Sequence, residues 1–187
     1  MSLHRLERLS TALVHKNPYW DYRLDLYLLP DGNVSEYHYV HTPGSSVIVP
    51  VMDDGRLVFV RQMRYLWQRV SIEFPAGGVK NGDFLETAKN ELAEEANFSA
   101  REWIFVGQIN PMNGITDEVC NVYIARCLSP AYRQRDPSEE FEIILLSKEE
   151  FKEKIRKGEI WDGMTLAAWS LVIDRLNSIN KMDGLKP

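Results

Sequence analysis

The sequence predicts a mixed α/β protein with an antiparallel β module at its N-terminus. Three observations support this prediction. Apolar and polar side chains alternate through residues 8–39 as they do in strands, residues 83–98 have the spacing of an amphipathic helix, and two more helical patterns begin at residue 147. The 187 residues, 44% of them hydrophobic, are enough for one core and a small appended sheet.

The N-terminal part of the chain predicts a β-hairpin. Leucines alternate with polar residues over 24–28, and a turn at 30–33 leads into a second strand at 34–40. Such a hairpin is marginally stable alone and must pack on something. Trp20, in the preceding loop, either packs on a core or offers its ring for stacking a nucleobase. We expect an N-terminal module over 1–44 and a second domain over 45–187.

The second domain starts with apolar segments. Residues 47–51 and 57–61 have the composition of strands, and the Asp-Asp-Gly turn between them predicts that they pair as a hairpin. A further strand pattern at 70–74 leads into a Pro-Ala-Gly loop.

The helix that follows this loop has clear start and face signals. Asp83 is a good N-cap, and Glu86 three residues later completes the pattern of a capping box. At about 100° per residue, one face of the helix carries an apolar stripe about 80° wide that must be buried. The stripe consists of Leu85, Ala88, Leu92 and Ala96.

Three carboxylates share one edge of this helix beside the glycine loop. Glu91 and Glu95 are one turn apart, and Glu94 lies next to them. Like charges at this spacing repel each other, so the cluster is either a solvated acidic face or a site for a divalent cation.

The rest of the chain supplies two candidate binding loops and two helices. Strand patterns at 103–109 and 119–125 flank a polar loop at 110–118, and 129–140 is the longest stretch without a structural pattern. A short strand pattern at 143–146 follows. Ser147 then starts a charged helix with a capping box, and an apolar helix begins near residue 161.

Composition excludes several classes of partner. The formal net charge of −5 argues against a nucleic-acid or membrane-surface partner. No apolar run approaches about 20 residues, so we expect a soluble, cytoplasmic protein. Cys120 and Cys127 fall on opposite faces of one predicted strand, cannot bridge each other, and are expected to be packing residues.

The glycine loop and acidic helix resemble the signature of the Nudix hydrolases. The matching residues are Gly77, Glu91, Leu92, Glu94, Glu95 and Phe98. With Glu-Phe-Pro-Ala-Gly at 73–77, the segment is similar to the ADP-ribose pyrophosphatase branch of that family. The resemblance implies a Nudix α/β/α sandwich over 45–187, and an N-terminal module that builds a homodimer.

The resemblance also implies a set of metal ligands and a reaction. Glu91, Glu94 and Glu95, with the backbone carbonyl of Ala76, would hold Mg²⁺ or Mn²⁺. The reaction would be hydrolysis of a nucleoside diphosphate sugar, with ADP-ribose as the leading substrate.

Substrate contacts implied by the resemblance come from several parts of the chain. Arg64 would bind the pyrophosphate, unless it only forms a surface ion pair with Glu73, and Glu73 is itself a candidate substrate-binding residue. The loop that contains Gly114 and Glu118 is similar to the substrate-side loop of the family, with Glu118 at the distal sugar phosphate.

The general base implied by the resemblance is a glutamate of the 129–140 stretch. Glu139 or Glu140 is the nearest match, unless each is only a solvated loop acid, and Glu94 and Glu118 are the next candidates. Glu142 ranks third within the loop because strand alternation points it elsewhere.

This sequence departs from the family signature at several positions. Asn90 stands where the family has an arginine, Asn97 stands where it has a second glycine, and the loop glutamate is absent. One residue is also missing between Gly82 and Glu91. Two alternatives therefore stay open: a Nudix hydrolase acting on GDP-mannose, UDP-glucose or dinucleoside polyphosphates, and a non-catalytic sensor that binds ADP-ribose or a related nucleotide sugar.

Overall fold

The computed structural model of the protein describes residues 3–132 and 140–183. Within these ranges the chain forms ten strands and three α-helices. The strands are β1 (Glu7–Lys16), β2 (Asp21–Leu28), β3 (Val34–His41), β4 (Ser45–Pro50), β5 (Leu57–Arg64), β6 (Arg69–Glu73), β7 (Ala76–Gly78), β8 (Phe98–Ile109), β9 (Cys120–Pro130) and β10 (Glu142–Leu146). The helices are α1 (Phe84–Ala96), α2 (Lys148–Arg156) and α3 (Gly163–Asp183). No helix in the described ranges combines the length and apolar character needed to cross a membrane.

The chain divides into two compact units. The first unit contains the residues up to 44 together with 110–119, and the second contains 45–109 and the residues from 120 onward. Nothing in the sequence indicated that 110–119 groups with the N-terminal strands.

The first unit is an antiparallel sheet in the order β1-β2-β3. β1 is an additional edge strand beyond the predicted hairpin, and all ten of its residues are exposed. The segment 110–119 joins β3 through a parallel bridge between Val40 and Thr116. A contact of 2.6 Å between His41 Nδ1 and Asp117 Oδ2 adds to this connection.

The second unit has helices on both sides of its strands. One sheet has the order β7-β4-β9-β8, and the other has the order β10-β5-β6. Successive residues of β4 face opposite sides: Val47 packs with residues of α2 and α3, and Ile48 packs with residues of α1. This alternation gives the α/β/α arrangement, and the predicted fold class is confirmed.

The predicted pairing of β4 with β5 is wrong. The turn itself forms, since the N–H of Met52 donates to the Arg56 carbonyl at 2.9 Å, and one bridge joins Val51 to Leu57. Beyond that bridge the strands diverge into different sheets, where β4 pairs in parallel with β9. A turn signal is local and does not determine which distant strand becomes the partner.

The start and end of α1 largely follow the sequence signals. The Asp83 side chain accepts the N–H of Glu86 at 3.0 Å, and Asn97 ends the helix with a left-handed φ of 57°. The Glu86 carboxylate accepts from Lys89 Nζ at 2.5 Å, so only half of the predicted capping box is formed among the described residues. α2 has both halves, made by Ser147 and Glu150.

Candidate active site

The segment Glu73–Gly77 joins β6 to β7 and lies at the centre of the candidate site. Ala76 and Gly77 pair with Val47 and Ser46 of β4. The Pro75 carbonyl accepts the N–H of Ile48 at 2.9 Å. The sequence suggested only a loop here, but pairing with β4 gives Ala76–Gly78 the fixed backbone of a short strand.

Glu95 contacts this strand through its carboxylate. Its Oε2 accepts the backbone N–H of Ala76 at 3.0 Å, and the residue is 6% exposed. Burying a carboxylate is costly unless hydrogen bonds or a cation satisfy it. The contact therefore fixes Glu95 beside the Ala76 peptide.

Glu91 contacts the same strand one helical turn earlier. A Cβ atom added to Gly77 would fall 2.7 Å from Glu91 Cγ and closer still to Cδ and Oε1. Any side chain at position 77 would displace the Glu91 carboxylate from its place against β7. The residues matched to the family signature at 77 and 91 therefore touch each other.

A polar cavity of about 180 Å³ lies along the same helix. Glu91 and Glu94 both line this cavity, so two of the three predicted carboxylates lie together here. The other lining residues are Gly78, Lys80, Asn81, Asp83, Glu86, Thr87 and Asn90. Asn90 therefore lies within the site, at the position where the family signature has arginine.

The donor atoms at β7 suit a hard divalent cation. Two glutamate carboxylates approach one strand, and oxygen is the ligand that Mg²⁺ and Ca²⁺ prefer. In the described part of the chain, no group of three or more His, Cys, Asp or Glu side chains is arranged to hold a metal ion. The fit therefore depends on the chemistry of the donors and on the contacts of Glu91 and Glu95 with β7.

Arg64 is held by a buried carboxylate on the neighbouring strand. Its Nε donates to Glu73 Oε1 at 2.7 Å, and its Nη2 donates to Glu73 Oε2. The Glu73 side chain is 5% exposed and that of Arg64 is 47% exposed. Gln62 Nε2 donates to Glu73 Oε2 at 3.3 Å. Arg64 is therefore the accessible member of the pair, and Glu73 holds it in place.

The electrostatic surroundings link Arg64 to the acidic helix. The hydrogen bonds that Arg64 donates to Glu73, and then the negative charges of Glu73, Asp162 and Glu95, raise the pKa of Arg64 above its ordinary value, against an opposing effect of burial. The guanidinium stays protonated. Arg64 therefore presents a fixed positive charge within the field of Glu95, and its role beside a pyrophosphate stays a prediction.

Three predicted substrate contacts lie in the first unit. Trp20 is 40% exposed, and its ring centroid lies 6.3 Å from that of His15. The Gly114 carbonyl accepts from the Tyr37 hydroxyl at 3.0 Å, and the Glu118 carbonyl accepts from Asn110 Nδ2 at 3.0 Å. The two hydrogen bonds fix the middle of the 110–118 loop at Gly114 and its ends at Asn110 and Glu118.

Only part of the predicted general-base loop can be described. Glu139 lies outside the described residues, and Glu140 is exposed just before β10. Glu142 Oε2 lies 2.7 Å from Arg61 Nη1, on the strand face opposite Gln62 and Arg64.

The sequence analysis assigned no role to two residues that contact the site. Gln62 lies two residues before Arg64 on the same strand, so alternation could have placed it beside Glu73. Thr165 of α3 accepts the N–H of Phe74 at 3.0 Å, across 91 residues, and no local pattern indicates that contact.

Comparison with known proteins defines the class. Residues 41–167 match the NUDIX domain, which is most of the chain. The chain therefore belongs to the Nudix family, and the prediction of a Nudix hydrolase in the branch of the ADP-ribose pyrophosphatases is confirmed.

Individual proteins similar to this chain are consistent with membership of the family. An ADP-ribose pyrophosphatase of Bacillus subtilis (strain 168) is 30% identical over 152 residues, covering 78% of this chain and 82% of that protein. A methanol dehydrogenase activator of Bacillus methanolicus is 30% identical over 145 residues, covering 75% and 77%. A crystal structure of an ADP compounds hydrolase has a TM-score of 0.82 at 18% identity, covering 95% of this chain and 97% of that one, and supports the fold.

Proposed function

We propose that this protein hydrolyses the pyrophosphate bond of ADP-ribose or a closely related nucleoside diphosphate sugar. The products would be a nucleoside monophosphate and a sugar phosphate. The observation that carries the proposal is the approach of Glu91 and Glu95 to β7, with Arg64 in the field of Glu95. The B. subtilis relative named as an ADP-ribose pyrophosphatase supports the choice of substrate.

The proposed cofactor is Mg²⁺ or Mn²⁺, held by Glu91, Glu94 and Glu95 and by the Ala76 carbonyl. Bound there, the cation would neutralise the anionic pyrophosphate and acidify a water molecule. The chain's own residues supply the rest. Arg64 would bind phosphate oxygens through the part of its guanidinium that Glu73 leaves accessible.

The proposed general base is Glu139 or Glu140. An acceptor for the proton of the attacking water adds about 10²–10⁴-fold to the rate of such reactions. Both residues belong to the 129–140 stretch of the sequence, which resembles the loop that carries the general base in ADP-ribose pyrophosphatases.

We propose that the first unit contributes substrate contacts and a homodimer interface. Trp20 would stack on the base, and the loop with Gly114 and Glu118 would contact the sugar side of the substrate. The N-terminal module over 1–44 would form the interface. β1 supports this proposal, since it is an exposed edge strand that carries Leu9, Leu13 and Val14, and such edges readily pair with another chain.

The experiment that tests the proposal is a substrate panel with and without divalent cation. ADP-ribose, GDP-mannose, UDP-glucose and a dinucleoside polyphosphate are each incubated with Mg²⁺, and the products are separated by chromatography. We expect ADP-ribose to have the highest kcat/KM, AMP and ribose 5-phosphate as products, and no turnover in excess EDTA. Equal turnover in EDTA contradicts the metal-dependent reaction, and preference for another member of the panel moves the proposal to that substrate.

A non-catalytic ligand sensor is the second candidate. Asn90 at the arginine position lines the cavity beside Glu91 and favours this alternative. Calorimetry with ADP-ribose separates the two: tight binding with no AMP formed in Mg²⁺ or Mn²⁺ supports the sensor. Turnover of ADP-ribose excludes it.

A further inference from the structure

Thr165 is a buried polar residue that the proposed reaction does not use. It lies in the first turn of α3 and is 0% exposed. Its Oγ1 accepts the backbone N–H of Phe74 at 3.0 Å. Phe74 lies just beyond Glu73, the last residue of β6 to pair with β5, so the strand ladder does not supply an acceptor for this buried N–H. The Thr165 hydroxyl supplies it.

The position of this hydroxyl is itself fixed. The Asp162 side chain accepts the N–H of Thr165 at 2.7 Å, and the Asp162 carbonyl accepts the N–H of Leu166 at 3.1 Å. Asp162 thus caps the start of α3. A β-branched residue in a helix has few χ1 rotamers, so the capped turn holds the hydroxyl towards Phe74.

Three consecutive residues of the β6–β7 segment are anchored on three different elements. The Phe74 N–H is bound by α3, the Pro75 carbonyl by Ile48 of β4, and the Ala76 N–H by Glu95 of α1. Each residue has only two soft backbone torsions, and the ring of Pro75 fixes one of them. The orientation of the Ala76 peptide therefore depends on where Phe74 is held, as well as on the pairing of Ala76 with β4.

We propose that Thr165 is a positioning residue for the cation site. By holding the Phe74 N–H it sets the orientation of the Ala76 peptide, and thereby the carbonyl and the Glu95 contact that are assigned to the cation. The role in cation binding rests on the proposed function, whereas the effect on the Ala76 backbone does not. α3, which contributes no proposed ligand, would thus tune the affinity of the site.

The test compares Thr165→Val, which removes the hydroxyl at nearly constant volume, with Thr165→Ser, which keeps it. Val172→Ala is the matched control, because Val172 is also 0% exposed on α3 and its side chain forms no hydrogen bond. Two quantities are measured without substrate: the Mn²⁺ dissociation constant by calorimetry, and the amide hydrogen exchange of Ala76 by NMR.

We expect Thr165→Val to weaken Mn²⁺ binding about 10–100-fold, the range for residues that orient metal ligands. Exchange of the Ala76 amide should accelerate by about tenfold or more in the same variant, since its hydrogen bond to Glu95 loses its alignment. Thr165→Ser and Val172→Ala should both stay close to the wild-type values. If Thr165→Val does not fold, Thr165→Ala removes the same hydroxyl, and the same results are expected.

Wild-type Mn²⁺ affinity and wild-type Ala76 exchange in the valine variant would overturn the inference. Equal changes in Thr165→Val and Val172→Ala would also overturn it, because they would show a general loss of stability. If the wild-type protein binds no divalent cation, the proposed function fails. The exchange measurement then still decides whether Thr165 orients the Ala76 peptide.

Discussion

α1 and α2 are both acid-rich helices with capped N-termini, yet they use their glutamates differently. In α2, Glu153 is paired with Arg156 and lies 3.6 Å from Lys157, and the last turn of the helix contains basic residues. In α1, the last turn contains no basic residue, and Glu95 is buried against β7. The acids of α2 form a solvated face, whereas Glu91 and Glu95 of α1 contact a strand.

The difference shows what separates an acidic surface from a candidate cation site. Negative charge near the C-terminus of a helix is unfavourable, because it adds to the negative end of the helix dipole. α2 offsets this effect with lysine and arginine in its last turn. Glu94 and Glu95 occupy the last turn of α1 without such residues, and a divalent cation would provide the missing positive charge.

The largest expected effect comes from removing one charge on the α1 side of this comparison. Glu95→Gln keeps an oxygen that can accept the Ala76 N–H but removes the negative charge. We expect kcat for ADP-ribose to fall by about 10²-fold or more at saturating Mg²⁺, as when other electrostatic anchors of active sites are removed. Steady-state kinetics measures this effect. Circular dichroism serves as the control for folding, and full activity in a folded variant would end the metal-hydrolase proposal.

A smaller effect is expected from displacing a carboxylate without removing it. Gly77→Ala puts a methyl group where Glu91 now lies, and the flexible glutamate side chain has to move. We expect the Mg²⁺ concentration for half-maximal activity to rise about tenfold, the lower end of the range for altered ligand orientation. Gly78→Ala is the matched control, since an added Cβ there meets no atom within 4 Å. Equal effects of the two substitutions would show that the contact of Gly77 with Glu91 does not matter.

Local signals in the sequence predicted much of α1 and α2 correctly. Asp83, Asn97 and Ser147 act as caps because their side chains or backbones bond within a few residues. The glutamate spacing of α1 likewise follows from helix geometry alone. Glu91 and Glu95 were therefore identified before any strand opposite them was known.

Features that depend on distant partners were missed. β7 has the Pro/Gly composition of a loop and becomes a strand only because β4 is there to pair with it. The pairing of β4 with β9 and the bond from Phe74 to Thr165 join residues that are far apart in the chain. No local pattern of hydropathy or turn residues contains that information.

The Arg64–Glu73 pair contains a buried acid, so its contribution to stability can be compared with that of the exposed ion pairs of α2. Glu73→Gln removes a charge that accepts two hydrogen bonds from Arg64. We expect the free energy of unfolding to fall by about 1.5–3 kcal/mol, the range for hydrogen bonds to charged groups. Urea titration measures this change. KM for ADP-ribose should rise as well, because Arg64 loses its fixed orientation, and an unchanged KM would show that Glu73 does not position Arg64 for substrate.

The smallest effect is expected on the α2 side. Glu153 is 44% exposed, and exposed ion pairs such as those with Arg156 and Lys157 contribute about 0–1 kcal/mol. Glu153→Gln should therefore change the free energy of unfolding by less than about 0.5 kcal/mol and leave kcat and Mg²⁺ dependence at wild-type values. Urea titration and steady-state kinetics check both expectations. If Glu153→Gln lost as much activity as Glu95→Gln, activity would depend on the overall negative charge of the protein. The contact of Glu95 with β7 would then not account for the effect of Glu95→Gln.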